Sequence, residues 1–181
     1  NCHTHCPEGI ENWNGTPIIY SPGNFYFPKH FGKNGLWQYG YLVKALFDKQ
    51  GVYALELCPY HFGEEQVVPL ENGKKDRFFR YLETISAPLS DPRRMQALFE
   101  AWSTRYGRNY ISGNLNPPEN WNDRTDDPEI VRRMLGLRNI FTCESHNDMV
   151  RCYLSLMEEM RIPQAAELLP LIDSLQNPEW V

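Results

Sequence analysis

The chain has 181 residues, 41% hydrophobic and 13% aromatic, enough to bury a sizeable core in about one domain with room for an appendage. A net charge of −5 and a pI near 5.5 argue against the basic surface that nucleic-acid binding rests on, so no nucleic-acid partner is expected. No apolar run approaches the roughly 20 residues that cross a bilayer and no signal-peptide pattern opens the sequence, so any anchor or export signal is expected upstream of these residues.

Residues 17–70 read as strands. Pro17-Ile18-Ile19-Tyr20 is short and β-prone, and Gly23-Asn24 supplies a turn before the aromatic run Phe25-Tyr26-Phe27. A loop is expected from Pro28 to about Gly35. Tyr41–Phe47 and Val52–Leu57 then flank Asp48-Lys49-Gln50-Gly51 in the layout of a β-hairpin. A further strand is expected over Gln66–Leu70, and Asn72-Gly73 is a turn signal that closes the β-rich half.

From Asp76 the period changes: Phe78, Phe79, Leu82 and Ile85 recur at helical spacing, and this apolar face is expected to be core. Ser90 is placed to cap a second helix with Met95, Leu98, Phe99 and Trp102 on its apolar face. Gly113 to Asp127 reads as a loop. Three more helices are expected, over 128–137, over 145–161 begun by Ser145 with Asp148 three residues on, and over 163–176 begun by Pro163. Aromatic density around Trp37, Tyr39, Tyr41 and Trp102 reads first as core.

The chemistry concentrates at Cys2-His3-Thr4-His5-Cys6. In an extended segment, positions two apart return to one side, so His3 and His5 are candidates to hold one metal together or two adjacent metals singly. A compact zinc knot of Cys2, His3, His5 and Cys6 is a rival, disfavoured because five consecutive residues wrap a tetrahedron poorly. His30, His61 and His146 are isolated and read as structural or exposed. Five scattered cysteines (Cys2, Cys6, Cys58, Cys143, Cys152) read as mostly free thiols, with room for one disulfide, in a reducing or weakly oxidising compartment, and on that usage a cytoplasmic setting. A precise metal site directly at a chain end is unusual, so a piece or processed form of something longer is expected, with the rest upstream.

His3-Thr4-His5-Cys6-Pro7-Glu8-Gly9-Ile10-Glu11, a spacer ending in Gly15-Thr16-Pro17-Ile18-Ile19-Tyr20-Ser21, and Gly23-Asn24-Phe25 together resemble the closing segment of the bacterial CapA-type poly-gamma-glutamate capsule biosynthesis proteins. That family is similar to the calcineurin-like metallophosphoesterases. The resemblance extends through Tyr39-Gly40-Tyr41-Leu42-Val43 and covers about residues 1–70.

It implies an α+β fold: residues 1–75 as the C-terminal portion, built of β-hairpins, of a four-layer αββα metallophosphoesterase-like domain, and 76–181 as a helical extension. It further implies a hydrolase with two divalent metal ions, and His3 and His5 match the last metal motif, with Cys2 where Gly is usual. Glu11 and Asn24 match positions beside the pocket that orient ligands or substrate; turn chemistry is the competing reading for Asn24 after Gly23. Tyr20 and Phe25 are expected as core aromatics. The implied role is capsule or cell-envelope polymer biosynthesis, with the missing N-terminal part of the domain and a capsule polymer or precursor as partners, at the cell envelope.

The superfamily's earlier motifs, Asp-x-His, Gly-Asp and Asn-His-Asp/Glu, do not occur here, and two imidazoles do not complete a dinuclear centre. The chain alone is therefore expected to bind metal weakly and to lack phosphoesterase activity. Two alternatives stand beside this reading. One is an amidohydrolase or polymerase-histidinol-phosphatase type enzyme using His3-x-His5 on an (α/β)-barrel, which needs repeated strand-helix units. The other is a non-enzymatic helical interaction module, which a large exposed apolar patch would favour.

Overall fold

In a computed structural model of the chain, the described residues are 4–27, 35–114 and 119–181, without the side chains of Val52, Tyr53 and Asn114. The protein is mixed α+β, with two small antiparallel sheets and six α-helical segments among the described residues, one only five residues long. It divides into two compact units, the first taking the chain to Pro92 together with Ser174–Val181, the second Arg93–Asp173. No described helix is long and apolar enough to cross a membrane.

The first unit opens with β1 (Ile10–Trp13) and β2 (Thr16–Ile19), paired from Ile10↔Ile19 to Trp13↔Thr16. Asn14 and Gly15 form its tip at φ 51° and 83°, the paired left-handed residues of a type I′ turn whose twist matches the strands. Asn12 Oδ1 accepts the Gly15 N–H at 2.8 Å and tightens the tip. Strand β1 was not expected, although Asn14-Gly15 between Ile10–Trp13 and Thr16–Ile19 is a strong hairpin signal.

The pairing continues below the hairpin: Glu8 N–H donates to Ser21 O at 2.9 Å, and Pro7 bridges Pro22. The chain then crosses to the second sheet, where Tyr41 N–H donates to Pro22 O at 2.9 Å and Gly23 bridges Gly40.

That sheet has the order β3 (Tyr39–Asp48), β4 (Gly51–Phe62), β5 (Val67–Pro69), all antiparallel. The expected hairpin is present, turning at Lys49-Gln50, with the register slipping between Leu46 and Phe47. Only its base is buried: Tyr39 to Tyr41 are enclosed while Leu42 to Asp48 are exposed. Strand β5 lies within the expected Gln66–Leu70 run and pairs the end of β4, Tyr60↔Pro69 to Phe62↔Val67.

Helix α1 (Asn72–Ser86) closes the core with Phe78 and Leu82, joined by Tyr39, Tyr41 and Leu70, with Ile85 and Trp180 packed alongside. It starts four residues before the expected Asp76, because the turn at Asn72 (φ 48°) is its first residue and Gly73 is already helical. Its C-terminal end anchors the first hairpin: Ser86 Oγ accepts the Ile10 N–H at 3.0 Å and donates to Leu82 O at 2.6 Å. Two aromatics expected in this core are not there. Tyr20 is 39% exposed and Phe25 59% exposed, the first just after β2 at the base of the hairpin, the second edge-on to Tyr60.

In the second unit, α2 (Pro92–Asn114) is not capped by Ser90, which ends a 3₁₀ turn and donates its hydroxyl to Ala87 O. Asp91 is extended, as a residue before proline prefers, and the helix starts at Pro92. The helix runs through Gly113, so the expected loop begins later. Its deepest residues are Ala101 and Ser103, whereas Met95 and Trp102 of the expected apolar face are 37% exposed.

Helix α3 (Pro128–Thr142) has Pro128 in its first turn and Asp127 as its cap, accepting the Glu129 N–H at 2.9 Å. It outruns the expected 128–137. Helix α4 (Glu144–Glu158) starts after Cys143, not at Ser145, and stops short of the expected 161. Met160 (φ 55°) closes it, with Arg161 N–H on Leu156 O and Met160 N–H on Met157 O, the bond pair of a Schellman ending. The helix expected over 163–176 is two, α5 (Ile162–Ala166) and α6 (Leu169–Gln176). Pro170 explains the break: it has no N–H for the Ala166 carbonyl, and its ring would strike that carbonyl in a continuous helix.

Candidate functional site

Of the candidate site residues, His5 and Asn24 meet, Glu11 stands apart from them, and His3, like Cys2 and His30, lies outside the described residues. The extended segment expected to carry His3 and His5 is not found over its described residues, Thr4 and His5. These residues form a turn and bend, with His5 in the left-handed region at φ 62°. Such a conformation costs a non-glycine residue roughly 1–2 kcal/mol, so side-chain contacts must hold it.

Those contacts are specific. The His5 ring stacks on Trp37 (centroids 4.8 Å apart, 19° between planes) and tilts against Phe27 at 5.3 Å. Its Nδ1 lies 2.8 Å from Asn24 Oδ1. Asn24, buried at 6% exposure, donates its Nδ2 to the Trp37 carbonyl at 3.1 Å. A carbonyl can only accept, so this bond sets which way the carboxamide faces and leaves Oδ1 for the imidazole. Nδ1 must then be the protonated nitrogen of the neutral ring, and Nε2 keeps the free electron pair. This is the arrangement in which a histidine presents a donor nitrogen to a metal or proton while a fixed carbonyl orients it from behind.

The local sequence positions this pair through close backbone approach. Gly23 adopts φ 82°, and a Cβ there would sit 2.6 Å from the Tyr39 carbonyl. Ser21, fully buried, accepts the Gly23 N–H on its Oγ at 3.2 Å, and its carbonyl accepts the Tyr41 hydroxyl at 3.1 Å. The Ser-Pro-Gly-Asn run is thus a buried corner that delivers Asn24 to His5. Burial, aided by Glu8, raises the Tyr41 hydroxyl far above its ordinary pKa, so it remains a donor at any working pH.

Glu11 takes another partner: it accepts the Tyr20 hydroxyl across the hairpin, from a position opposite Ile18. Cys6 is half-buried, and burial with the Glu8 charge pushes its thiol up to about 11, which disfavours the thiolate a metal requires. Of the isolated histidines, His61 packs on Tyr39 with its pKa lowered by burial, and His146 Nδ1 faces Asn139 Nδ2 at 3.1 Å. Among the described residues no three His, Cys, Asp or Glu side chains converge to hold a metal. Trp37 and Tyr60, whose hydroxyl donates to Asn24 O at 2.8 Å, complete the site, and sequence reasoning did not assign them to it. The aromatic density that follows the Gly-Asn corner pointed to Trp37 only as core, and Tyr60 carried no local signal.

No family model matches the chain, and no curated protein or solved structure matches it either.

Proposed function

We propose that this chain carries the histidine-bearing edge of a metal-dependent, phosphoesterase-like enzyme of the CapA type, acting in capsule or cell-envelope polymer biosynthesis. The observation that carries the reading is the chain Trp37 O, Asn24, His5, which leaves Nε2 of His5 as an oriented lone-pair donor. The described residues fit one imidazole ligand with its orienting carbonyl, not a whole divalent-ion site. The remaining ligands are then His3 and carboxylates contributed by sequence upstream of these residues. Divalent ions in such a site would acidify a bound water and neutralise phosphate oxygens.

Within that scheme the residues described here have limited, definite tasks. Asn24 holds the His5 proton on Nδ1, Trp37 fixes the ring plane and shields one ring face from water, and the Ser21–Gly23 corner sets the depth of Asn24. The antiparallel hairpins favour this reading over a barrel enzyme, whose repeating unit is a parallel strand and helix. The polymer or its phosphorylated precursor would be the substrate, and the cell envelope the location.

The test is hydrolysis of a chromogenic phosphodiester by a version carrying native upstream sequence, with manganese supplied. Activity lost by at least about a hundredfold in His5→Ala is the expected result. Equal activity with and without His5 would sink the proposal.

A further inference from the structure

We infer that Tyr60 is a positioning residue for His5, acting through the Asn24 backbone, and that Gly40 exists to let it do so. The functional consequence rests on the reading of His5 as a metal donor; the positioning itself needs no metal.

Tyr60 lies on β4 directly opposite Gly40 on β3 and is almost wholly buried. Its ring crosses β3 at that point, and its hydroxyl donates to Asn24 O at 2.8 Å. A Cβ on residue 40 would lie 2.5 Å from the Tyr60 hydroxyl and 2.9 Å from the Asn24 carbonyl. Only glycine leaves the space in which this bond forms. Both faces of the Asn24 residue are therefore tied, its carbonyl to Tyr60 and its side chain to Trp37 and His5.

A phenylalanine at 60 would fill the same volume and remove the hydroxyl bond to Asn24 O. Without it the buried Asn24 carbonyl is left unpaired, and the peptide can relieve this by turning. Its side chain then moves with it, and His5 loses the acceptor that holds its proton on Nδ1. An unconstrained imidazole prefers the proton on Nε2, so the lone pair would move from Nε2 to Nδ1. His146 is a second histidine beside an asparagine, its Nδ1 3.1 Å from Asn139 Nδ2, and serves as an internal reference.

The experiment is nitrogen NMR of the ring tautomers in the uniformly labelled 181-residue chain, at a pH where the histidines are neutral, for wild type, Tyr60→Phe and Gly40→Ala. Wild type is expected to show His5 protonated on Nδ1. Both variants should move His5 toward the Nε2-protonated form and leave His146 unchanged. A folded Tyr60→Phe chain with the wild-type His5 tautomer would overturn the proposal. Should the variants not fold, the wild-type Tyr60 hydroxyl proton decides: slow exchange with water supports the buried bond, and free exchange contradicts it.

A manganese titration separates this inference from the proposed function. Line broadening at His5 that weakens about tenfold or more in Tyr60→Phe supports both. A tautomer shift without any manganese effect keeps the positioning and removes the metal reading. Broadening that Tyr60→Phe leaves untouched, with the tautomer unchanged, does the reverse.

Discussion

Nδ1 of His5 and Oδ1 of Asn24 are 2.8 Å apart, though 19 residues separate them in sequence. The bond joins the two segments whose motifs stood out in the sequence, and the same carboxamide also satisfies the Trp37 carbonyl. Asn24→Leu keeps the volume but removes the acceptor of the His5 imidazole and the donor to the Trp37 carbonyl. A loss of about 2–3 kcal/mol is expected, read as a lower denaturant midpoint with an unchanged slope. A change within about 0.5 kcal/mol would mean that the contact is not formed in solution.

Gly15 and Gly23 share nearly the same backbone angle, φ 83° and 82°, but not the same surroundings. Nothing lies within 4 Å of a Cβ at Gly15, whereas one at Gly23 meets the Tyr39 carbonyl at 2.6 Å. Gly15→Ala should therefore cost only the left-handed penalty of roughly 1–2 kcal/mol. Gly23→Ala adds a backbone collision and should cost roughly 3 kcal/mol or more, seen in parallel thermal melts. Equal costs would show that the corner yields freely.

The second hairpin was readable because β-branched and aromatic runs flank a Gly-containing loop, and α1 because Phe78, Leu82 and Ile85 keep helical spacing. What escaped depended on backbone detail or on contacts distant in sequence. Ser90 looks like a cap until Pro92 forces Asp91 to be extended and shifts the helix start. The length of α4 is set by Met160 in a left-handed conformation, which no propensity for Met announces. At the site, His5 was singled out by the His-x-His pattern and Asn24 through the family resemblance. Their joining depends on a left-handed His5 and on Trp37 and Tyr60, brought in from the following segments, which no local pattern contains. Glu11 was placed beside them by motif alone, and the hairpin gives it to Tyr20 instead.

Trp180, near the end of the chain, packs on Tyr39 at 5.1 Å, Tyr81 at 5.6 Å and Phe78 at 5.9 Å. Tyr81 adds a hydroxyl bond to Leu175 O at 3.1 Å, so residues 174–181 are built into the first unit. Trp180→Ala should destabilise that unit by about 3 kcal/mol and weaken the near-ultraviolet dichroism of the tyrosines. A loss below about 1 kcal/mol would place Trp180 outside the core.

Cys6 and Cys143 are expected to react oppositely with iodoacetamide. Burial, with Glu8, raises Cys6 to about 11, so near pH 8 only about one molecule in a thousand carries the thiolate. The Ser145 hydroxyl and the His146 backbone N–H at the start of α4 hold the Cys143 thiol below its ordinary value. Cys143 should be alkylated well before Cys6, as mass spectrometry of timed samples would show. The Cys6 rate should climb about tenfold per pH unit up to pH 10, while the Cys143 rate levels off earlier. Faster reaction at Cys6 would contradict the enclosed setting given to the His5 segment.

The most direct measurement is bound metal, by elemental analysis after manganese or zinc loading and desalting. It compares the 181-residue chain, a version with native upstream sequence, and His3→Ala/His5→Ala in each. About two ions per chain are expected in the longer version, lost in the double variant, with only weak, easily removed metal on the 181-residue chain. Two tightly held ions on the 181-residue chain alone, or none on the longer version, would contradict the assignment of His5 as one ligand of a shared metal centre.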